Sequence, residues 1–161
     1  MGNKPETSVT FAAVDPQSTD ALASMTSYFD ELHQRFERGF DPGDTLRADA
    51  DQFRPAAGEF ILGSLEGTVV SCGGVYKLKP AVAEIKRMWV APGARGKGIG
   101  AQTLHHLELA ALRLGADQVL LDTNSVLLEA IRLYTSRGYV AIESYNDNPY
   151  AQRWFAKKLG S

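Results

Sequence analysis

The stretch Glu84–Gly100, which reads EIKRMWVAPGARGKGIG, carries the clearest structural signal in the chain. Its first seven residues predict a β-strand, Pro92–Gly98 predicts a glycine-rich loop, and a helix follows over Ile99–Leu114. Glycines let the backbone approach a ligand, and a helix N-terminus offers free N–H groups with a partial positive charge. The order strand, loop, helix therefore predicts a phosphate or pyrophosphate site, to which Arg95 and Lys97 add charge.

Two familiar glycine motifs do not match this loop. A P-loop needs Lys and then Ser or Thr after its second glycine, whereas Gly98 is followed by Ile99 and Gly100. A dinucleotide fingerprint needs a glycine where Ala101 stands, although Asp122 could serve as its acidic residue. The dinucleotide interpretation stays open as the weaker alternative, because a hairpin and not a βαβ unit precedes the loop.

The residues before this stretch predict one strand, one helix and a hairpin. Ser8–Ala13 is typical of a strand, and Asp15-Pro16 predicts a helix start. The helix has apolar residues at steps of three and four, as expected when one stripe packs on a sheet. These residues are Leu22, Met25, Phe29, Leu32 and Phe36. Two strands, Phe60–Leu65 and Thr68–Leu78, flank a two-residue turn at Glu66-Gly67.

The residues after the glycine loop alternate between strands and one more helix. A short apolar run predicts a buried strand over Gln118–Asp122, and Leu127–Arg137 predicts a helix. Tyr139–Ser144 and Arg153–Leu159 predict closing strands on either side of a polar loop at Tyr145–Tyr150. The pattern indicates one mixed α/β domain over residues 1–161, with its core over about 8–159.

Composition excludes several classes of protein. The 161 residues suffice for one domain, and 44% apolar against 22% charged residues is typical of a globular chain. A net charge of -2 argues against a broad nucleic-acid surface, and no apolar run is long enough to span a membrane. The polar start Met1–Glu6 and the single cysteine, Cys72, lead us to expect a cytoplasmic protein without disulfides.

Three segments around the loop share the pattern of a known family. They are Arg-x-x-Gly-x-Gly at 95–100, the strand at 84–92 before it, and Ala-Ile-Arg-Leu-Tyr at 130–134 with Gly-Tyr at 138–139. Together they resemble the GNAT superfamily of acetyl-CoA-dependent N-acetyltransferases. The resemblance implies a single α/β (α+β) domain with a mixed sheet of about six to seven strands, one splayed strand pair and about four flanking helices. It also implies acetyl-CoA as cosubstrate, no metal, and a primary amine as acceptor.

The resemblance assigns cofactor and catalytic roles to residues of this chain. The backbones of Met88 and Val90 would bind the pantetheine arm, and the amides of the glycine loop would bind the pyrophosphate. Tyr134 would protonate the leaving thiolate, and Glu84 would take the proton of the amine. The full cofactor set is Met88, Trp89, Val90, Arg95, Gly96, Lys97, Gly98, Ile99, Gly100, Asn124, Ala130 and Tyr134. Many members have an asparagine where Leu127 stands here, so Asn124 is expected to supply that polar contact from the preceding loop.

The acceptor pocket is expected at the first helix, the strand of Glu84 and the polar loop. The candidate residues are Tyr28, Arg35, Phe36, Glu84, Lys86 and Tyr145. Arg35 or Lys86 could pair with a substrate carboxylate, whereas Tyr and Trp side chains could instead enclose an aryl amine or a cation. Regular pleating would place Arg87 and Trp89 on the face opposite Glu84 and Met88. Cys72 is expected to be a buried core residue and not a nucleophile, and His105 and His106 are not spaced as metal ligands.

Three functions therefore compete. The first is acetyl transfer to the amine of a small molecule by direct attack, with a protein or peptide amine as the variant of this reaction. The second is a non-catalytic module of the same fold that senses acyl-CoA, which the presence of both Glu84 and Tyr134 disfavours. The third is a nucleotide-dependent protein that uses the same loop. The expected partner is a small-molecule amine, without nucleic acid or membrane, and a homodimer is possible.

Overall fold

The computed structural model describes residues 8–160, so the polar start Met1–Glu6 lies outside its range. Seven strands form one mixed sheet in the order β1-β2-β3-β4-β5-β7-β6. Their bounds are β1 Thr10–Val14, β2 Gly58–Leu65, β3 Thr68–Lys79, β4 Val82–Val90, β5 Gln118–Thr123, β6 Val140–Ile142 and β7 Arg153–Lys158. Neighbouring strands are antiparallel except β4 and β5, which are parallel.

Within residues 8–160, four α-helices accompany the sheet and complete the expected α+β fold. They are α1 Thr19–Arg35, α2 Thr45–Ala48, α3 Ile99–Arg113 and α4 Leu128–Ser136. Short 3₁₀ turns lie at Ala50–Phe53 and Pro92–Ala94. Across residues 8–160, no helix combines the length and apolar character needed to cross a membrane.

The predicted order of elements is confirmed, and the main boundary error lies at the first helix. This helix begins at Thr19 and not at Asp15-Pro16, because the Ser18 side chain accepts the N–H of Ala21 and caps it. Asp15 instead holds the guanidinium of Arg54, which anchors the segment before the helix. The Glu66-Gly67 turn joins β2 and β3 as predicted, with Gly67 at φ +81°.

The parallel strands β4 and β5 separate after three paired residues. They pair only over Val82–Glu84 and Gln118–Leu120. Beyond Glu84, the strand β4 continues for six residues beside β3, while β5 stays with β7. The splayed strand pair is therefore present, and the opening between these two strands leads into a cavity.

A bulge in β4 reverses the faces that regular pleating predicts. Cys72 opposes Trp89 and Gly74 opposes Lys86, so that two residues of β4, Arg87 and Met88, oppose the single Gly73 of β3. Arg87 has φ +59° at this point. Arg87 and Trp89 therefore lie opposite Met88, as the sequence predicts, but on the same face as Glu84, where the prediction is wrong because the extra residue inverts the alternation.

The consequence of the bulge is visible in the two main core clusters. Met88 packs on the α3 face of the sheet together with Ile85, whereas Trp89 packs on the α1 face. The Arg87 guanidinium also lies on the α1 face, over the rings of Phe29 and Phe53. Because of the bulge, Arg87 and Trp89 thus share the α1 face, and Met88 between them lies on the α3 face.

Candidate functional site

A cavity of about 520 Å³ begins where β4 and β5 separate. We call its two sides the loop side and the helix side. The loop side consists of the end of β4, the glycine loop and α4, and includes Met88, Val90, Gly98 and Tyr134. The helix side consists of α1, the segment after it and the loop before β7, and includes Tyr28, Phe36 and Tyr150. Eleven of the twelve expected cofactor residues line the cavity; Lys97 is exposed to solvent and lies outside the lining.

The glycine loop presents open backbone at the start of α3. Gly96 has φ +81° and Gly98 has φ +77°, a conformation that side chains disfavour. The space where a Cβ would lie at either position holds no described atom within 4 Å. Because α3 begins at Ile99, its first N–H groups lie next to this open backbone, as an anionic ligand requires.

The Arg95 side chain forms hydrogen bonds within the protein, so it is not reserved for a cofactor. Its guanidinium donates to the Val90 carbonyl at 3.0 Å and to Glu31 at 2.7 and 2.9 Å. Glu31 also accepts the Trp89 indole N–H at 3.1 Å and a hydrogen bond from Arg35. Burial opposes ionisation of Glu31, but the bonds from Arg95, Trp89 and Arg35 outweigh it and lower its pKa. The loop side and α1 are therefore joined through one carboxylate.

Tyr134 lines the cavity from α4 and is only 6% exposed. Burial, together with the nearby negative charge of Asp122, raises the pKa of its hydroxyl well above the usual value. The phenol therefore keeps its proton at neutral pH. A protonated hydroxyl at this position can act as a hydrogen-bond donor or as a general acid.

Glu84 lies outside the cavity lining. It is 2% exposed, and its carboxylate accepts hydrogen bonds from the hydroxyls of Tyr76 and Tyr145, the latter at 2.6 Å. Lys86 Nζ lies 3.8 Å from the same carboxylate. Glu84 therefore does not line the cavity. Tyr145, which was predicted for the acceptor pocket, does not line it either and donates its hydroxyl to Glu84. Of the residues predicted for that pocket, four line the cavity: Tyr28, Arg35, Phe36 and Lys86.

Asp122, which the sequence analysis did not assign to the acceptor pocket, does line the cavity. It lies in β5 just beyond the point of separation from β4. Its two carboxylate oxygens accept from Asn146 Nδ2 at 2.6 Å and Asn148 Nδ2 at 3.3 Å. The signal that could have found it is its place at the carboxyl end of a buried parallel strand, where ligands of α/β sheets bind.

Asn124 has its amide engaged within the protein. Its Nδ2 donates to the Tyr150 carbonyl at 2.9 Å, and its Oδ1 accepts the Val126 N–H at 3.0 Å. The side chain lines the cavity and fixes the β5–α4 connection to the loop before β7. Leu127 is 9% exposed and precedes α4, so an apolar contact stands where many family members have an amide.

The remaining candidates behave as core or surface groups. Cys72 is fully buried, and burial raises the pKa of its thiol to about 12, so the thiolate needed for nucleophilic attack is scarce. His106 stacks on Phe11 with ring centroids 4.2 Å apart. Within residues 8–160, no group of three or more His, Cys, Asp or Glu side chains is arranged to hold a metal ion.

The sequence and the fold of this chain both match those of known proteins. The sequence pattern of the Acetyltransferase (GNAT) family matches residues 25–139. An uncharacterized N-acetyltransferase of Schizosaccharomyces pombe is 36% identical over 84 residues, which is 52% of either chain. The chain therefore spans about half the length of this curated relative.

Solved structures match the fold over nearly the whole chain. A GNAT-family acetyltransferase from Staphylococcus aureus superposes with a TM-score of 0.80, at 16% identity, over 95% of this chain and 100% of that one. A GNAT-family acetyltransferase from Elizabethkingia anophelis, solved with acetyl-CoA bound, gives 0.66 at 18% identity, over 94% and 98%. At these identities the likeness concerns the fold.

Proposed function

The chain belongs to the GNAT family of acetyltransferases, and we propose that it transfers an acetyl group from acetyl-CoA to the primary amine of a small molecule. The observation that carries the proposal is the shared cavity. It joins an open glycine loop at a helix N-terminus, a buried protonated tyrosine and a carboxylate held by neutral amides. An anion-binding loop, an acid and a base are the groups that this reaction needs.

The loop side fits acetyl-CoA. The open backbone at Gly96 and Gly98 and the first N–H groups of α3 would hold the pyrophosphate. The edge of β4 beyond Glu84, freed from β5, would hold the pantetheine arm through the backbones of Met88 and Val90. When bound there, acetyl-CoA supplies an activated thioester. The Elizabethkingia acetyltransferase, which has the same fold and was solved with acetyl-CoA bound, supports acetyl-CoA as the ligand.

Two side chains are proposed to move protons. A protonated amine cannot attack, so a carboxylate within the cavity must first take a proton from it. We assign this step to Asp122, because it lines the cavity whereas Glu84 does not. Tyr134 is assigned the proton that the departing sulfur gains, because its hydroxyl lines the cavity and a phenol carries its proton at neutral pH. The sequence-based assignment of Glu84 as base stays a prediction to be tested against Asp122.

Binding and turnover test the proposal separately. Calorimetry with acetyl-CoA, ATP and NAD measures which of them the chain binds, and thiol release measures acetyl transfer to a set of amines. We expect acetyl-CoA to bind, and the release of the coenzyme A thiol to depend on the added amine. Binding of ATP or NAD without acetyl-CoA would overturn the proposal, and acetyl-CoA binding with no release for any amine would indicate a sensing module instead.

The role of Tyr134 has a matched control in the same helix neighbourhood. Tyr134→Phe is expected to lower kcat about 100-fold, the usual contribution of one general acid, while the Kd for acetyl-CoA stays unchanged. Tyr139→Phe removes a buried hydroxyl that binds Glu108, with its ring 5.7 Å from that of Tyr134. Because Tyr139 does not line the cavity, this variant should keep its turnover. Equal losses in both variants would show a packing effect.

A further inference from the structure

Five aromatic side chains form a continuous wall on the helix side of the cavity. Neighbouring ring centroids lie 4.6–6.0 Å apart, within the range of favourable aromatic contacts. We call this the aromatic wall; it consists of Tyr28, Phe29, Phe36, Phe40 and Tyr150. Aromatic rings that line an otherwise open cavity offer an apolar ring-binding surface to a ligand.

The aromatic wall is held in place before any ligand binds. Its rings come from α1, from the segment after α1 and from the loop before β7. The Tyr150 hydroxyl accepts the N–H of Asp41 at 3.1 Å, and its carbonyl accepts from Asn124. His33 accepts the N–H of Phe40 at 3.1 Å. These hydrogen bonds tie the three segments together, so a ring-bearing ligand meets a preformed surface.

The cationic side chains of the cavity are neutralised within the protein. Of the described residues, three arginines line the cavity, and each is paired with a carboxylate: Arg35 with Glu129, Arg87 with Asp49 and Arg95 with Glu31. Lys86 Nζ faces the Glu84 carboxylate at 3.8 Å. A ligand carboxylate entering this cavity would therefore compete with carboxylates already in place.

The carboxylate of Asp122 is in the opposite situation. Its hydrogen-bond partners, Asn146 and Asn148, are neutral amides. Among residues 8–160, no ion pair to Asp122 is formed, although it is half-buried in the cavity lining. Both amides are themselves fixed, since Asn146 Oδ1 accepts from Trp154 and Asn148 Oδ1 from the Tyr150 N–H. A partly buried, oriented carboxylate of this kind favours a cationic ligand group.

Taken together, an apolar ring surface, paired arginines and an unpaired carboxylate describe the ligand. We propose that the acceptor is an arylalkylamine: an aromatic ring and a primary amine without a carboxylate. This inference rests on the proposed acetyl transfer. The ring lies on the aromatic wall, and the ammonium faces Asp122.

The reaction of such an acceptor is balanced by groups already named. The ammonium loses one proton to Asp122, from which it passes to solvent. The C–N bond forms as the C–S bond of the thioester breaks, and the sulfur gains a proton from Tyr134. The second proton of the nitrogen passes to the Tyr134 oxygen, directly or through water, so that Tyr134 ends protonated. The net products are the N-acetyl amine, the free thiol of coenzyme A and one proton.

Four amines test the inference by thiol release. Phenethylamine is compared with phenylalanine, which adds a carboxylate, with butylamine, which lacks the ring, and with spermidine, which carries more charge. We expect kcat/KM for phenethylamine to exceed each of the others at least about tenfold, because an uncompensated buried charge or a lost ring contact costs this much or more. Preference for phenylalanine or spermidine overturns this inference alone. No release with any amine, despite acetyl-CoA binding, overturns both the inference and the transfer activity.

A matched pair of variants locates the ring. Phe40→Leu should reduce the preference for phenethylamine over butylamine about fivefold or more by removing one ring contact. Phe11→Leu removes a ring that stacks on His106 outside the cavity and should leave the preference unchanged. An unaltered preference in Phe40→Leu, or an equal reduction in both variants, would contradict binding on the aromatic wall.

Discussion

The two sides of the cavity are built from different parts of the chain. The loop side consists largely of consecutive residues, from Met88 to Gly100, and offers mostly backbone groups. The helix side brings together side chains from α1, the segment after it and the loop before β7. A cofactor that many proteins use, such as acetyl-CoA, can be bound by backbone groups, and one local sequence motif determines their geometry. The particular acceptor must be selected by side chains, which distant segments supply.

The two carboxylates of neighbouring strands give the largest expected contrast. Asp122→Asn removes the proposed base from the cavity and should lower kcat about 100-fold or more. Glu84→Gln changes a side chain that does not line the cavity and that accepts hydrogen bonds from Tyr76 and Tyr145. Its kcat should therefore fall much less. Single-turnover thiol release with the best acceptor amine measures both.

Thermal unfolding of the same two variants separates chemistry from folding. Glu84→Gln disturbs a buried carboxylate with two hydroxyl donors and should lower the melting temperature more than Asp122→Asn does. If the folded Glu84→Gln protein loses more turnover than Asp122→Asn, the sequence-based assignment of Glu84 as base is correct and Asp122 serves only in binding.

The loop side predicts a smaller effect that depends on backbone conformation. Gly98→Ala makes φ +77° unfavourable by about 1–2 kcal/mol, so the free loop should relax to another conformation. Acetyl-CoA must then restore the original one, which corresponds to roughly tenfold weaker binding. Gly93→Ala is the control, because this glycine has open space around it without a positive φ. Calorimetry should show an unchanged Kd for Gly93→Ala. Equal weakening in the two variants would mean that bulk, and not backbone conformation, limits the site.

The difference between the two sides also explains what the sequence could predict. The glycine loop and the element order follow from residues close together in the chain, so their patterns are visible without tertiary structure. Tyr134 was assigned through a short motif that resembles the family. The face of Arg87 and Trp89 relative to Glu84 was mispredicted because a single bulge residue, Arg87, inverts the alternation that pleating rules assume. No periodicity in the sequence marks that insertion, since it depends on the fit of β4 against β3.

The acceptor site could be predicted from the sequence even less well than the faces of β4. Glu84 is held by Tyr76 on β3 and by Tyr145, which lies 61 residues further along the chain. Asp122 gains its exposure to the cavity from the separation of β4 and β5, and its orientation from Asn146 and Asn148. The residue types alone do not distinguish these carboxylates. Their surroundings, which only the fold supplies, do.

Glu31 joins the two sides, and its replacement should have the smallest effect. Glu31→Gln removes a negative charge beside the glycine loop and leaves Arg95 less neutralised. We therefore expect acetyl-CoA to bind about two- to fivefold more tightly at low salt, with the gain shrinking as salt screens the exposed charges. Asp30→Asn, at the preceding exposed position of α1, is the control and should change the affinity little.

The pH dependence of stability gives an independent check on Glu31. Its pKa in the folded protein lies below the ordinary value of 4.5, so its pairs stabilise the fold above that pH, and this contribution is lost as pH falls through the folded pKa. Chemical unfolding between neutral pH and pH 3 should show a smaller loss of unfolding free energy for Glu31→Gln than for Asp30→Asn.

Weaker binding of acetyl-CoA by Glu31→Gln would contradict the charge argument. It would mean that orienting Arg95 through Glu31 matters more to the cofactor than the charge that Glu31 neutralises.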